Sequence, residues 1–155
     1  MIEIKNFVEC PEHLPLLAHK VHHQWFTHRA GATEDGMLAR MRMGKPDAIP
    51  LGLVGMIDGK PAGTVSLLES DLEERKDLRP WLAGLLVFEE FRGKGLAAAL
   101  VRTLTQKALE MGEREVYLYT RIPQLYEKLG WEIFAKTSSE DPSEVVMRWI
   151  APTEM

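Results

Sequence analysis

A short run of glycines and basic residues has the composition of a phosphate-binding turn. The run is Arg92-Gly93-Lys94-Gly95, and it precedes a helical pattern. The glycines have no Cβ and let the backbone approach a ligand closely, while the two cations add positive charge. The first N–H groups of a helix lack partners within the helix and lie at the positive end of its dipole, so an anion there gains both hydrogen bonds and a favourable field. The sequence therefore predicts an anion site at residues 92–97.

Two elements must position this turn. Residues 81–88 form an apolar run of strand length, which predicts a strand buried on both faces. After the turn, apolar residues recur at helical spacing, and Gly112 is placed to end the helix. Those apolar residues are Leu96, Leu100, Leu104, Ala108 and Met111. The expected unit is a buried strand, a glycine-rich turn and a long amphipathic helix.

Three other interpretations of the turn compete with an anion site. The glycines could serve only close packing in an ordinary strand–turn–helix unit. Gly93, Gly95 and Ala98 also satisfy the relaxed G-x-G-x-x-A pattern of dinucleotide-binding proteins. In that fold, however, the first glycine follows the strand directly, whereas residues 88–92 intervene here. A Walker P-loop is disfavoured because Gly95 is followed by Leu96 and not by the Lys-Ser/Thr pair that this motif requires.

Composition restricts the class of protein. The 155 residues have the length of one domain, which we expect to span residues 1–155. A net charge of −4 gives no electrostatic footprint for nucleic acid. The single cysteine, Cys10, excludes an intrachain disulfide, and it precedes Pro11 at an expected helix start, where a packing role is the simplest explanation. The N-terminus has no signal-peptide pattern and no segment approaches the ~20 apolar residues of a membrane span, so we expect a cytoplasmic protein without membrane contact.

The rest of the chain alternates strand and helix patterns. We expect strands, in chain order, over residues 2–7, 51–57, 61–68, 116–119, 131–135 and 145–150, with a hairpin turn at residues 58–59. Helices are expected from Pro11 to about His28, over residues 37–43 after a start at Thr33 with Glu34 and Asp35, and from Pro123. The methionines of residues 37–43 would fill a core, or the segment would act as a lid over a substrate.

All five histidines lie in the first predicted helix. His19 and His23 stand one turn apart, a spacing that can hold a metal. No carboxylate or cysteine in this pattern completes such a site, so we expect no metal. His22, His23 and His28 are candidates to line a pocket.

The sequence resembles the GNAT superfamily of acyl-CoA-dependent N-acetyltransferases at two motifs. Residues 92–97 (RGKGLA) are similar to its (Gln/Arg)-x-x-Gly-x-(Gly/Ala) signature. Residues 117–120 (YLYT) and 125–131 (LYEKLGW) resemble its next strand and its Tyr-x-x-x-Gly-(Phe/Trp) element. The two motifs occur in the family's order, and the resemblance covers residues 65–150.

This resemblance implies both a fold and an activity. The fold is α/β (α+β), with a mixed, mostly antiparallel seven-stranded sheet flanked by about four helices and splayed at the central strands. The activity is transfer of the acetyl group of acetyl-CoA to a primary amine of a small molecule or peptide, by direct attack in a ternary complex. The alternative is a non-catalytic domain that binds acetyl-CoA as a sensor or regulator. A homodimer is also possible.

The resemblance also assigns roles to residues. Tyr126 matches the tyrosine that protonates the departing thiolate in many relatives, and backbone N–H groups near Leu86 and Val87 would polarise the thioester carbonyl. The residues implied in coenzyme binding are Leu85, Leu86, Val87, Arg92, Gly93, Lys94, Gly95, Leu96, Ala97 and Thr120.

Such a reaction needs a base. A lysine-like amine has a pKa near 10.4, so only about one molecule in 10³ is unprotonated at neutral pH. The charged run at residues 69–80 joins the hairpin to the central strand, and its ends should therefore lie near the reacting atoms. Glu69 and Asp71 are the leading candidates for the base, directly or through a water, and His22 could also serve.

Overall fold

The structure is a computed structural model, and it describes residues 1–153. Seven strands form one sheet in the order β1-β2-β3-β4-β5-β7-β6, and every neighbouring pair is antiparallel except β4 and β5. The strands are β1 (Ile2–Asn6), β2 (Leu51–Ile57), β3 (Lys60–Leu68), β4 (Trp81–Val87), β5 (Glu115–Thr120), β6 (Glu132–Lys136) and β7 (Val145–Ile150). The expected mixed, mostly antiparallel seven-stranded sheet is confirmed.

Four helices flank this sheet. They are α1 (Leu14–Trp25), α2 (Glu34–Arg42), α3 (Leu96–Glu110) and α4 (Pro123–Glu127). Helix α1 ends at Trp25 instead of near His28. Helix α2 begins at Glu34, as the sequence predicts, because the Thr33 hydroxyl accepts a hydrogen bond from the Gly36 N–H and caps the helix there. No helix within residues 1–153 is long and apolar enough to cross a membrane.

The core lies on both faces of the sheet. Helix α3 buries Leu96, Leu100 and Leu104 against one face, and α4 contributes Tyr126 to the same cluster. Helices α1 and α2 cover the other face with a second cluster that includes Met37 and Met41, so these two methionines do fill a core. A lid role for this segment stays a prediction.

Two glycines determine how closely α3 approaches the sheet. A Cβ at Gly55 would lie 2.5 Å from the Leu96 side chain, and one at Gly63 would lie 2.7 Å from the Leu86 carbonyl oxygen. Both distances are too short for non-bonded atoms, so a larger residue at Gly55 would displace the first residue of α3, and one at Gly63 would push β3 away from β4. A Cβ at Gly63 would also lie 3.1 Å from the Leu96 side chain. The start of α3 therefore packs directly against strands β2 and β3.

The sheet splays between β4 and β5. These parallel strands are paired only at Trp81 and Tyr117, near their starts. Farther along, β4 carries one extra residue opposite β3, because Ser66 faces Ala83 whereas Thr64 faces Leu86. The extra residue makes a β-bulge at positions 84–85, where Gly84 has a φ of +64°. The second half of β4 thus has one edge that β5 does not cover, and the expected splay is confirmed.

Candidate active site

The turn before α3 has the geometry of an anion site. Gly93 and Gly95 adopt φ values of +79° and +84°, and a Cβ on either would meet no atom within 4 Å, so the space in front of them is open. Residues 92–95 are exposed. The backbone N–H groups of residues 93–97 donate to no acceptor within the described part of the chain. These donors point away from the fold at the positive end of a 15-residue helix.

The open edge of β4 continues from this turn. The Phe88 N–H donates to the Ala62 carbonyl of β3, so residue 88 faces β3. Because successive residues of a strand point their N–H groups to alternate sides, those of Val87 and Leu85 face the gap, whereas that of Leu86 faces β3. Leu86 also buries its side chain on the α1–α2 side of the sheet. The donors available in the gap therefore belong to Leu85 and Val87.

Arg92 connects the turn to the strand. Its Nε donates to the Val87 carbonyl oxygen over 3.1 Å, and that carbonyl faces the gap like the N–H of the same residue. The guanidinium thus sits where the edge of β4 meets the glycine turn. Lys94 is exposed and makes no ion pair with the described residues closer than 4.0 Å. Together the strand edge and the turn form one continuous line of donors and positive charge.

Of the two acidic candidates, Asp71 has the properties of a base. It is partly buried on the loop after β3, and burial raises the pKa of its carboxyl to about 7, against a smaller lowering effect of the Arg29 charge. The charge of Asp71 also contributes to raising the pKa of the Tyr119 hydroxyl, so both groups lie in one electrostatic neighbourhood. A carboxyl with a pKa near 7 can accept a proton at neutral pH and lose it again.

Glu69 is engaged in an ion pair instead. Its two carboxylate oxygens accept hydrogen bonds of 2.6 and 3.0 Å from Arg79, and Arg79 also binds Glu113. The hydrogen bonds from Arg79 lower the pKa of Glu69 below its usual value. A carboxylate held in this way binds a proton poorly at neutral pH.

Tyr126 lies in the core on the α3 side of the sheet. Burial raises the pKa of its hydroxyl to about 12. Its ring packs edge-to-face against Trp131, with 6.0 Å between the ring centroids. The indole N–H of Trp131 is buried, and no described residue accepts a hydrogen bond from it. Thr120, at the end of β5, uses its Oγ1 to accept a hydrogen bond of 3.0 Å from the Ile122 N–H before α4.

The remaining candidates are Cys10 and His22. The Cys10 thiol is buried and lies 3.4 Å from the Asn6 carbonyl oxygen, and burial is the main cause of a pKa raised to about 11. A thiol with this pKa is a poor nucleophile at neutral pH. His22 lies on α1 with its Nδ1 buried and without a partner among the described residues.

The sequence reasoning missed Arg29 and the position of Tyr119 near Asp71. Alternation along β5 puts the side chains of Tyr119 and Tyr117 on the same face of the sheet, and this could be predicted from the sequence. Arg29 lies in the connection between α1 and α2, and nothing in its local pattern distinguishes it from other exposed arginines.

The profile of the acetyltransferase (GNAT) family matches residues 17–131. The chain belongs to this family. The match covers most of the chain, including the turn, helix α3 and the Tyr126–Trp131 segment. The family inferred from the two sequence motifs is confirmed, and with it the class of enzyme, an acyltransferase.

A curated relative and several solved structures agree with this result. Human N-acetyltransferase 8B is 41% identical over an alignment of 78 residues that covers 47% of this chain and 34% of that protein. The matched region is therefore about a third of the length of this curated relative. An aminoglycoside 6'-N-acetyltransferase complexed with coenzyme A superposes with a TM-score of 0.74 at 14% identity, covering 99% of both chains.

A second solved structure is yncA from Salmonella typhimurium, a putative acetyltransferase with its cofactor acetyl-CoA. It gives a TM-score of 0.71 at 16% identity and covers 100% of this chain and 95% of its own. At these identities the two structural neighbours show a shared fold.

Proposed function

We propose that the chain transfers the acetyl group of acetyl-CoA to a primary amine of a small molecule or peptide, by direct attack in a ternary complex. The observation that carries this proposal is the set of N–H groups at residues 93–97, which bind no other part of the described chain and continue into the open edge of β4. A pyrophosphate at the turn and an extended pantetheine along the edge would satisfy both groups of donors.

The coenzyme would lie in the gap as an additional strand. The pyrophosphate binds the N–H groups of residues 93–97, with Arg92 and Lys94 at its flanks. The thioester carbonyl accepts a hydrogen bond from the N–H of Leu85 or Val87, which stabilises the oxyanion that forms during attack. The β-bulge at residues 84–85 supports this role because it interrupts the pairing of β4 with β3 at Leu85.

Asp71 is the base in this proposal. Its carboxylate takes a proton from the acceptor ammonium, directly or through one water, and the free nitrogen attacks the thioester carbon. The C–S bond breaks as the tetrahedral intermediate collapses, the nitrogen loses its second proton, and the thiolate gains one. We assign this role to Asp71 in preference to Glu69 because the carboxylate of Glu69 is held in an ion pair with Arg79.

Tyr126 would donate a hydrogen bond to the leaving sulfur. A thiol has a pKa near 8.5, whereas the pKa of Tyr126 is about 12, so full proton transfer from the phenol to the thiolate is uphill by roughly 3 pKa units. A hydrogen bond lowers the basicity of the sulfur without requiring that transfer. The proton that the sulfur finally receives balances the one that the attacking nitrogen releases.

The acceptor side of the gap carries charge of both signs. Asp71 favours a cationic amine, and Arg29 stands close enough to affect the pKa of Asp71. We propose that the acceptor carries a primary ammonium and that the reaction takes place in the cytoplasm, where acetyl-CoA is available. A homodimer stays a prediction, which light scattering coupled to size-exclusion chromatography would check.

The test is release of free coenzyme A thiol at saturating acetyl-CoA with four acceptor classes: polyamines, amino acids, aminoglycosides and peptides with a free N-terminus. Mass spectrometry must find an acetylated product for at least one class. Affinity for acetyl-CoA without turnover on any class would favour the sensor alternative. No affinity for acetyl-CoA would refute the proposal.

A charge reversal tests the proposed position of the coenzyme. Lys94→Glu places a negative charge beside the pyrophosphate site, and we expect the acetyl-CoA Kd from calorimetry to rise roughly tenfold because a phosphate contact becomes a repulsion. Lys136→Glu is the matched control, since Lys136 is an exposed lysine on β6, at the far edge of the sheet. Equal Kd values for the two variants would contradict the placement.

A further inference from the structure

Three side chains converge on the outer surface where α1 meets α2. Glu34 Oε1 lies 2.7 Å from Nδ1 of His19 and 3.5 Å from Nε2 of His23. The imidazole rings of the two histidines are 4.3 Å apart between centroids. One ligating atom from each of the three residues lies within 4.8 Å of the other two. The group takes no part in the acetyl transfer proposed above, because none of its members reaches the gap between β4 and β5 in any contact described.

The fold holds these residues in place from two helices. His19 and His23 are four residues apart on α1, so they stand on one face, one turn from each other. Glu34 is the first residue of α2, and the Thr33 cap fixes where that helix begins. Leu17, Val21, Met37 and Met41 belong to the same buried cluster and pack α1 against α2. The sequence offered the histidine pair without a third ligand, and the packing of the two helices supplies it.

The ligand set and its spacing suit zinc. Two histidines and one carboxylate form a three-ligand set that Zn²⁺ accepts, with water in the fourth position. Metal–ligand bonds of ~2.0–2.2 Å in a tetrahedron place neighbouring ligand atoms ~3.3–3.5 Å apart. Of the two separations at Glu34, 3.5 Å already has this value and 2.7 Å is shorter, and all three ligand atoms lie within 4.8 Å of one another. Rotations of these exposed side chains can therefore bring the atoms into position. Mg²⁺ and Ca²⁺ prefer oxygen ligands and do not fit a site with two imidazoles.

We propose that His19, His23 and Glu34 form a site for Zn²⁺ or a similar first-row divalent cation that fastens the start of α2 to α1. His19 would ligate through Nδ1, His23 through Nε2 and Glu34 through Oε1. The metal would replace the proton that His19 and Glu34 share in their hydrogen bond. It would also fasten both ends of the connection at residues 26–33, because His23 lies just before this connection and Glu34 directly after it.

The experiment is a zinc titration of the whole chain, prepared without a polyhistidine tag and treated with chelator. A chromophoric zinc indicator reports competition, and Co²⁺ used in place of zinc reports coordination through its visible absorption bands. We expect one equivalent to bind and the Tm to rise with zinc.

Single-residue variants locate the site. His19→Gln and Glu34→Gln each remove a proposed zinc ligand. Each should raise the zinc Kd by more than roughly tenfold, and the rise in Tm with zinc should disappear. His28→Gln is the matched control, because it removes another exposed histidine of the same segment. Circular dichroism of the zinc-free variants checks that they are folded.

Three results would overturn the proposal. One is the absence of zinc binding by the unmodified chain. Another is binding by the His19→Gln/His23→Gln double variant that equals that of the unmodified chain. The third is a His28→Gln variant that weakens binding as much as His19→Gln does. None of these readouts requires acetyl transfer, so they are independent of the enzymatic proposal.

Discussion

Asp71→Asn is the substitution that most directly tests the chemistry. Asparagine has nearly the same shape as aspartate but cannot accept a proton from the acceptor ammonium. The partly buried carboxyl has a pKa of about 7, so near neutral pH a large share of the molecules carries a competent base. If Asp71 is that base, its loss should reduce kcat/KM for the amine by roughly 10²–10⁴-fold at pH 8.

The pH profile gives a more specific signature than the rate alone. With a pKa of about 7, the carboxyl is about one tenth ionised at pH 6 and about nine tenths ionised at pH 8. The unmodified chain should therefore gain about tenfold in kcat/KM over this interval from Asp71, in addition to the effect of acceptor ionisation. The variant retains only the acceptor effect. The ratio of the two profiles thus isolates the titration of Asp71.

Stability supplies a second readout with a fixed sign. Because the folded-state pKa is raised from 3.8 to about 7, ionised Asp71 destabilises the fold above pH 7, and this penalty disappears as the pH falls to about 4. The full shift corresponds to about 4 kcal/mol, and the remaining contact of the carboxyl with water reduces the expected effect to about 1–3 kcal/mol. Urea unfolding should find Asp71→Asn more stable than the unmodified chain at pH 8, with a smaller difference at pH 5.

Glu69→Gln is the control for these measurements. Glu69 lies on the same loop and was an equal candidate from sequence, but its oxygens bind Arg79. We expect less than a fivefold change in kcat/KM and no change in the shape of the pH profile. Retained activity in Asp71→Asn, or a loss in Glu69→Gln that equals or exceeds it, would refute the reasoning that assigns the base from burial.

Two further substitutions test other parts of the site. Tyr126→Phe should lower kcat about tenfold without changing the acetyl-CoA Kd, as measured by steady-state kinetics and calorimetry, and an unchanged kcat would assign this side chain to packing alone. Gly63→Ala should destabilise the fold by about 1–3 kcal/mol in urea unfolding, because the added Cβ would lie 2.7 Å from the Leu86 carbonyl oxygen; a neutral effect would mean that β3 and β4 separate at little cost.

Local patterns were sufficient for the central unit of the fold. The apolar run at residues 81–88, the glycine turn and the periodic apolar residues of α3 are consecutive in sequence, and the structure has β4 at Trp81–Val87 and α3 at Leu96–Glu110. The hairpin of β2 and β3 could likewise be predicted from the Asp58-Gly59 turn between two apolar segments. Each of these elements depends on neighbours within a few residues, which is the range that a single sequence reports.

The choice between Glu69 and Asp71 was beyond this range. Both are acidic residues of one charged loop, and only the fold determines that Glu69 meets Arg79 while Asp71 is partly buried. The proposed zinc site could not be predicted from the sequence for the same reason, since His19 and Glu34 are 15 residues apart on different helices. The end of α1 also differs from the prediction, because residues 26–28 contain no glycine or proline that marks the end of the helix at Trp25.

The charged loop explains how the carboxylate of Asp71 comes to be partly buried. An ion pair between Glu69 and Arg79 joins the two ends of the loop, and Arg79 also donates hydrogen bonds to Glu113 in the segment before β5. Its middle is held by Glu74, which accepts hydrogen bonds from the N–H and the hydroxyl of Ser138 between β6 and β7. Each surface contact is worth little alone, but together they connect the loop to both neighbouring segments. Asp71 lies between these two attachments, so the loop cannot easily move to return its carboxyl to water, and the raised pKa follows from that constraint.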